Sequence, residues 1–438
     1  MKPLKFVNAI AIMCSSLMTV AYGQLKDPSA AIAGKSGGSL PLGLGATFID
    51  GEAFYLISIT PEVSFGNLGV GLDLNLRFNT SGKIRAGDYE KFEDYLRIIR
   101  YVRWAQKGDP FYIRVGQLDY SLLGHGSIIY NYRNSASYDL RKTGIELDLN
   151  FEKYGFESMY SDLSGRGLMG IRGYAKPLKF TSLAKIPVIN NFEVGATYTR
   201  DLNQKANWIN TPQGSRDSSS SGLSVYGFDF GLPLISYPIF KTGLYFDFAQ
   251  IANYGNGTTI GINMNFSGLG LLNIRGKYEL RFNGDKYLPA YFNALYERDR
   301  FDPARQVSKS DTLKYVLASK GYYGELILSV LGTFNIVAGY QAPFDNQNQG
   351  LLHAELQLPE VAGIVVRGAF DKTHIGPVFT LDNHSILSAE IGYKPMKYLL
   401  VSTLYQRTFS DRDSKGNPLG HFVAQDRVEP KVSLVFDF

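Results

Sequence analysis

Cysteine is almost missing from this sequence: the 438 residues hold one, Cys14, inside an apolar amino-terminal stretch. Without that stretch the chain has no disulfide and no thiolate metal site. Charge is scarce as well. Charged side chains make up 19%, against about 25% in a soluble globular chain, so much of the surface faces something other than water. The net charge is +5, or +3 once Lys2 and Lys5 are removed (5 − 2 = 3). That is too little and too dispersed for nucleic acid, which needs a concentrated basic face. No later segment approaches the ~18 consecutive apolar residues of a transmembrane helix. There is no phosphate-binding glycine loop and no nucleotide fingerprint. His353, His374, His384 and His421 are scattered without a metal-ligand spacing. No cofactor and no metal are therefore expected.

What is present points first to export. Lys2 and Lys5 precede an apolar run from Phe6 to Val20, and Ala21-Tyr22-Gly23 places small residues at the −3 and −1 positions before Gln24. This is the plan of a secretory signal peptide over residues 1–23. At about 15 residues, and interrupted by Asn8 and two serines, the run is short for a membrane span. Met13 is not the small residue that a lipoprotein signal wants before its cysteine. The chain is rich in Tyr (29), Phe (28) and Gly (46), a composition that fits a sheet protein with boundaries between wet and dry, since a Tyr ring tolerates apolar neighbours while its hydroxyl stays hydrated.

The main signal is alternation. Leu72, Leu74, Leu76 and Phe78 alternate with Asp73, Asn75 and Arg77. Ile145, Leu147, Leu149 and Phe151 alternate with Glu146, Asp148 and Asn150. Leu272, Ile274, Tyr278, Leu280 and Phe282 are set against Asn273, Arg275, Lys277, Glu279 and Arg281. Successive strand residues point to opposite faces, so each segment has one greasy and one polar face. One such segment suits a soluble sandwich; a pattern persisting along nearly the whole chain suits a closed membrane wall, in which every backbone amide is paired internally. Segments of this kind run from 53–65 to 427–438, with a doubtful one at 40–49. Tight turns such as 394–397 and 152–155 alternate with long polar links at 202–221, 283–318 and 410–426. One turn, 177–190, is longer than the rule wants. The expectation is a single all-β, transmembrane antiparallel barrel over residues 24–438, of about 16 to 20 strands, with short periplasmic turns and long outer loops. Residues 24–50 could form a periplasmic segment ahead of it.

At the last strand the sequence resembles a known class. Val432, Leu434, Phe436 and Phe438 alternate with Lys431, Ser433, Val435 and Asp437, ending on phenylalanine. This is similar to the carboxy-terminal strand of Gram-negative outer-membrane β-barrel proteins. The resemblance implies residence in the outer membrane among its lipids, with Phe436 and Phe438 as the signal read by the barrel-assembly machinery. It identifies no subfamily and no oligomeric state.

A barrel of this size should enclose water, so polar faces become lumen faces. The pore-lining candidates are Arg77, Arg97, Arg103, Arg114, Glu146, Asp148, Arg275, Lys277 and Arg281. If Trp104 pairs with Phe111, Arg97, Arg103 and Arg114 form an inward arginine patch near Glu146 and Asp148, able to serve as structural salt bridges or to set ion preference. Arg100 breaks the pattern and falls on the lipid face. Leu288, Tyr291, Phe292, Leu295 and Tyr296 recur at three- and four-residue spacing, the mark of a short helix over 287–299 that caps the barrel or folds inward. Gly124-His125-Gly126-Ser127, followed by Asn131, is the one grouping that a lipid hydrolase could use, though its ordinary reading is a glycine-rich loop. Asp345 to Gly350 reads as a hydrated hairpin tip that could also hold calcium. Three functions remain open: a channel passing small hydrophilic solutes, a surface-exposed structural or ligand-binding barrel with a blocked lumen, and an outer-membrane lipid hydrolase. No catalytic residue is assigned. No plug-like domain precedes the first strand, which argues against an energised transporter.

Overall fold

The computed structural model describes residues 37–437 except 136–140, 164, 205–221, 269–270, 303, 332–333, 359, 376–379 and 416. The expected signal peptide, most of the 202–221 link and Phe438 lie outside the described residues. Twenty-two stretches of strand form one sheet. Two pairs are halves of single strands, since the register continues unchanged from Ile59↔Leu74 to Glu62↔Gly71. The wall therefore has twenty strands (22 − 2 = 20).

In chain order these are β1 (Gly37–Ile49), β2 (Glu52–Ile59, continued by Glu62–Phe65), β3 (Leu68–Leu72, continued by Leu74–Phe78), β4 (Ile99–Trp104) and β5 (Phe111–Gly116). Next come β6 (Gly144–Asn150), β7 (Tyr154–Tyr160), β8 (Leu168–Ala175), β9 (Glu193–Asp201) and β10 (Leu223–Ser236). β11 (Phe240–Ile251), β12 (Asn256–Gly268), β13 (Leu272–Asn283), β14 (Ser319–Val330) and β15 (Phe334–Pro343) follow. The set ends with β16 (Leu351–Gln357), β17 (Ile364–Thr373), β18 (Ser385–Met396), β19 (Leu399–Arg412) and β20 (Pro418–Asp437). Each pairs antiparallel with its neighbours, and β1 pairs with both β2 and β20, where Leu42 faces Ile59 on one side and Val432 on the other. The doubtful segment at 40–49 is thus the strand that closes the wall. Phe436 lies in that seam, opposite Gly38.

The alternation turns the molecule inside out relative to a soluble protein. Leu280 is 38% exposed whereas its neighbour Arg281 is 2% exposed. Leu44, Ile260 and Val432 likewise face outward, and Glu279 and Glu429 face inward. An even strand number brings both ends of the wall to one side. On that side the turns at 66–67, 151–153, 237–239 and 397–398 are short, and the links at 79–98, 117–143 and 284–318 lie on the other. The exception is again 176–192, coiled into three short 3-10 turns. Exposed Phe65, Trp104, Phe111, Tyr154, Tyr237 and Tyr398 ring the short-turn end, where amphipathic rings sit at a membrane interface.

Several boundaries differ from expectation. The 410–426 link is mostly strand: Thr408 pairs with Gln425 and Ser410 with Val423, leaving only 413–417 as a turn. There polar and apolar residues mix on both faces, as in Gly420, His421, Phe422 and Val423, so the alternation fades although the ladder continues. The segment expected at 95–104 begins as a helical turn, Phe92–Leu96, and the strand starts at Ile99. Arg97 caps that turn, ion-paired to Asp94 at 3.0 Å, and is not a wall residue. The β4–β5 register is Trp104↔Ile113, Val102↔Val115 and Arg103↔Arg114, two residues away from the Trp104–Phe111 pairing. A slip of two preserves the faces, so Arg103 and Arg114 still point inward. Arg100 does not face lipid. The β3–β4 register steps between Gly71↔Tyr101 and Leu72↔Ile99, leaving Arg100 as the bulged residue. A bulge re-aims its side chain, and Arg100 reaches the inward Glu62, which also accepts from the Tyr101 hydroxyl at 2.5 Å.

Phe246, at the middle of β11 and facing outward, tests the membrane assignment of the exterior. Phe246→Arg should cost about 2–4 kcal/mol in reversible unfolding from lipid vesicles, because a charge there meets hydrocarbon.

Candidate functional site: a filled lumen with an arginine-lined cavity

The barrel interior is occupied by two of its own long links. Residues 117–135 turn into the lumen as a hairpin-like excursion, in which Ser121 and Tyr132 exchange backbone hydrogen bonds at 2.9 and 3.0 Å. Asn134 holds its base, accepting from the Leu118 N–H at 2.9 Å and donating to the Ser161 carbonyl at 3.0 Å. The 284–318 link folds in beside it. Tyr130 N–H donates to Phe292 O at 3.1 Å, Phe292 N–H to Ile128 O at 3.1 Å, and Ala290 N–H to Ser127 O at 2.9 Å. Only Tyr296–Asp299 within the expected 287–299 helix is helical. The three- and four-residue spacing instead reflects an irregular chain wedged between apolar surfaces: Tyr291, Phe292, Leu295 and Tyr296 are buried.

The cause of the inward fold lies on the wall. Near the long-loop end, Met159, Leu168, Leu223, Val225, Ala249 and Ile251 point inward and form one cluster with Leu118, Ile129, Tyr132, Phe292 and Tyr296. Fully burying one such side chain is worth roughly 1.5–3 kcal/mol, so the cluster as a whole anchors the loops firmly. Strand ends that are apolar on both faces, such as Leu223 and Val225 beside Tyr226 and Phe228, carried this signal in the sequence.

Charge then stitches the loops to the wall. Tyr132, Lys142 and Arg300 all engage Glu297, the lysine at 2.6 Å and the arginine at 3.0 Å. Asp201 of β9 takes the Tyr296 hydroxyl and lies 3.4 Å from Arg300. Lys277 of β13 ion-pairs with Glu279 at 2.8 Å, donates to the His125 carbonyl at 2.5 Å and sits 4.6 Å from the Tyr130 ring centre. Arg281 pairs with Glu279 and lies 4.9 Å from the Tyr323 ring. Lys277 therefore holds the 117–135 excursion, while the buried Arg281 is tied to wall residues Glu279, Gln341 and Tyr323. Arg275 is half-buried lower on the same strand.

Across the barrel, the expected arginine patch exists without Arg97. Arg103 and Arg114 are directly opposite each other, and Arg114 is opposite Glu146. Arg114 lies 4.7 Å from the Tyr101 ring, the Tyr112 hydroxyl donates to Glu146 at 3.0 Å, and Asp148 pairs with Lys107 at 3.1 Å. Arg103 Nε and Nη2 are buried with no hydrogen-bond partner.

One space beside the loops is off-axis. A polar cavity of about 180 Å³ lies between the 117–135 excursion and the β1–β3 and β18–β20 wall. Arg77, Arg133, Arg141 and Arg427 line it together with Asp73 and Asp119. Each arginine is braced by a carboxylate: Arg77 by Asp88 at 2.5 Å, Arg141 by Asp73 at 2.8 Å, Arg427 by Glu429 at 2.7 Å and Arg133 by Asp371 at 3.0 Å. Arg133 Nε and Nη2 nevertheless have no hydrogen-bond partner, while the guanidinium stacks 4.6 Å from the Tyr120 ring. Of the sequence candidates only Arg77 reaches this cavity. Arg133 and Arg141 belong to a link expected to lie outside, and Arg427 sits at the edge of the supposed 410–426 loop.

The Gly-His-Gly-Ser segment forms the tip of the excursion. Ser127 donates its hydroxyl to Asp247, and His125 Nε2 lies 3.8 Å from Asp229 Oδ1. The serine is not hydrogen-bonded to the histidine, as a nucleophile–base pair requires. Asp345 and Asn346 lie on an exposed hairpin tip.

No family model and no curated sequence matches the chain. Among solved structures, OccK5 (OpdH) of Pseudomonas aeruginosa aligns at 11% identity over 93% of this chain and 99% of that one, with a TM-score of 0.33. The siderophore receptor PirA of Acinetobacter baumannii aligns at 10% identity over 92% and 81%, with a TM-score of 0.38. OmpT of Vibrio cholerae aligns at 8% identity over 92% and 99%, with a TM-score of 0.27. Scores of this size carry no argument about activity. The chain is an outer-membrane-type β-barrel on its own closed sheet and apolar belt.

Two outcomes test the loop anchoring. Phe292→Ala should weaken docking of both loops by about 3–5 kcal/mol, read as faster protease nicking within 284–318. Burial against Tyr291 and Tyr296 pushes the Lys309 ammonium down to about 8 from 10.5, with its Nζ donating to Tyr291 O at 2.7 Å. The docked loop then binds fewer protons than the released one between these values, so docking strengthens as pH rises through that window. A fluorophore on Arg305→Cys, the only thiol in a chain made without residues 1–23, should show anisotropy rising from pH 7 to 10, and Lys309→Met should abolish the rise.

Proposed function

We propose that the protein is an outer-membrane channel that passes small hydrophilic solutes, acidic ones preferentially, through the narrow passage between its lumen-filling loops and the β1–β3 and β18–β20 wall. The observation that carries this reading is the lining of the off-axis cavity, where Arg77, Arg133, Arg141 and Arg427 converge against the two carboxylates of Asp73 and Asp119. Guanidinium forks suit carboxylate and phosphate oxygens because two parallel N–H bonds match their geometry. Apposed charges in a confined, low-dielectric passage also focus the field and set ion preference. The filled lumen argues for a small, selective conductance rather than a wide diffusion pore.

A second reading has one observation in its favour. The apolar cluster holds both loops inside the long-loop end of the lumen, as a blocked barrel that works as a surface receptor would require. Single-channel recording of the refolded mature protein in a planar bilayer separates the two. Small discrete steps with a reversal potential favouring anions, shifted towards cations in Arg133→Ala, are expected of the channel. A stably inserted but silent protein would overturn it in favour of the receptor.

A further inference from the structure

The tip of the 117–135 excursion carries a feature that solute passage does not use. Asp229 of β10 and Asp247 of β11 are direct cross-strand partners, both facing inward and both buried. Like charges placed directly opposite destabilise a sheet pair. Arg172 of β8 relieves only one of them, binding Asp229 through Nε at 2.9 Å and Nη2 at 2.5 Å. Asp247 is 4% exposed and makes no ion pair among the described residues. Its Oδ2 accepts the Ser127 hydroxyl, and its Oδ1 has no hydrogen-bond partner.

Into this gap the loop delivers an imidazole. The His125 ring stacks on Tyr245 with centroids 4.2 Å apart and planes within 14°, while Lys277 holds its backbone carbonyl. His125 Nε2 is buried without a hydrogen-bond partner, 3.8 Å from Asp229 Oδ1. One ligand atom from each of His125, Asp229 and Asp247 can be chosen so that all three lie within 4.8 Å of one another. The flanking glycines are needed to bring the ring there. Gly124 and Gly126 adopt φ of +57° and +98°, and a Cβ on Gly126 would lie 2.3 Å from the Tyr130 ring.

We propose that His125, Asp229 and Asp247 bind one divalent transition-metal ion of the zinc class, which pins the tip of the lumen loop to β10 and β11. The chemistry favours such an ion over calcium or magnesium, because one ligand is an imidazole nitrogen and only two are carboxylates, whereas the hard cations take oxygen ligands in larger number. Zinc–ligand distances of about 2.0–2.2 Å require the three ligand atoms, within 4.8 Å of one another here, to draw closer together. The ion would neutralise Asp247, satisfy both orphaned atoms and cancel the cross-strand repulsion. A proton held by Asp247 would relieve only the repulsion.

The test is equilibrium dialysis of chelator-stripped, refolded mature protein against zinc chloride, with elemental analysis. Saturable binding of one ion per chain is expected, weakened at least about tenfold in His125→Ala and in the isosteric Asp247→Asn, and unchanged in His353→Ala. Cobalt(II) loaded onto the unmutated protein should give visible d–d bands of nitrogen and oxygen coordination, a readout that does not depend on any variant folding. Mobility of the unheated barrel on a denaturing gel confirms that each variant is folded. Absence of saturable zinc binding in the unmutated protein, or equal binding by folded Asp247→Asn, would overturn the proposal.

Discussion

Closure of the sheet is the constraint on which everything else depends. In a bilayer no water pairs with a bare strand edge, so each backbone amide in the wall must find its partner on a neighbouring strand. The seam between β1 and β20 meets this requirement by running from Gly37↔Asp437 to Ile49↔Gln425. Once the ring is closed, period-two alternation leaves no choice about faces. Every second residue meets lipid, and the rest are confined to a lumen of fixed diameter.

That lumen is filled by a compromise between two kinds of interior. Towards the long-loop end, apolar wall residues such as Leu223 and Val225 demand cover, and the links at 117–135 and 284–318 supply it. Towards the β1–β3 and β18–β20 side the inward residues are mostly polar or charged, and the apolar loop contact is confined to Leu295 against Ile386 among the described clusters. The result is an asymmetric plug with a polar cavity beside it. The charged groups divide accordingly, with Lys277 anchoring the loop tip beside its wall partners Glu279 and Arg281, and Arg77, Arg133, Arg141 and Arg427 lining residual space.

The same asymmetry places the sites argued above on opposite sides of one loop. The base of the 117–135 excursion presents Arg133 to the cavity, and its tip carries His125 to Asp229 and Asp247. An ion that pinned the tip would hold the base as well, because Ser121 and Tyr132 close the excursion into a short ladder. Solute passage and cation binding would then be coupled through one rigid element.

The sequence by itself determined the wall. The expected segments match all twenty strands in place and in order, including the doubtful one at 40–49, because alternation is a local consequence of pleat geometry. It also determined which face of Arg103, Arg114, Glu146, Asp148, Lys277 and Arg281 is lumenal. Tertiary structure alone decided what those residues do there. Arg97 left the wall because a helical turn at Phe92–Leu96 shortened its strand, and Arg100 turned inward through a bulge that no pattern announces. The β4–β5 register slipped by two without changing faces, so alternation could not detect it. Arg133 and His125 became lumenal because a long link folded inward onto wall residues distant in sequence. Pairing reads neighbours along a strand, but the filling of a closed lumen depends on which distant surfaces fit one another, and only the folded barrel sets that.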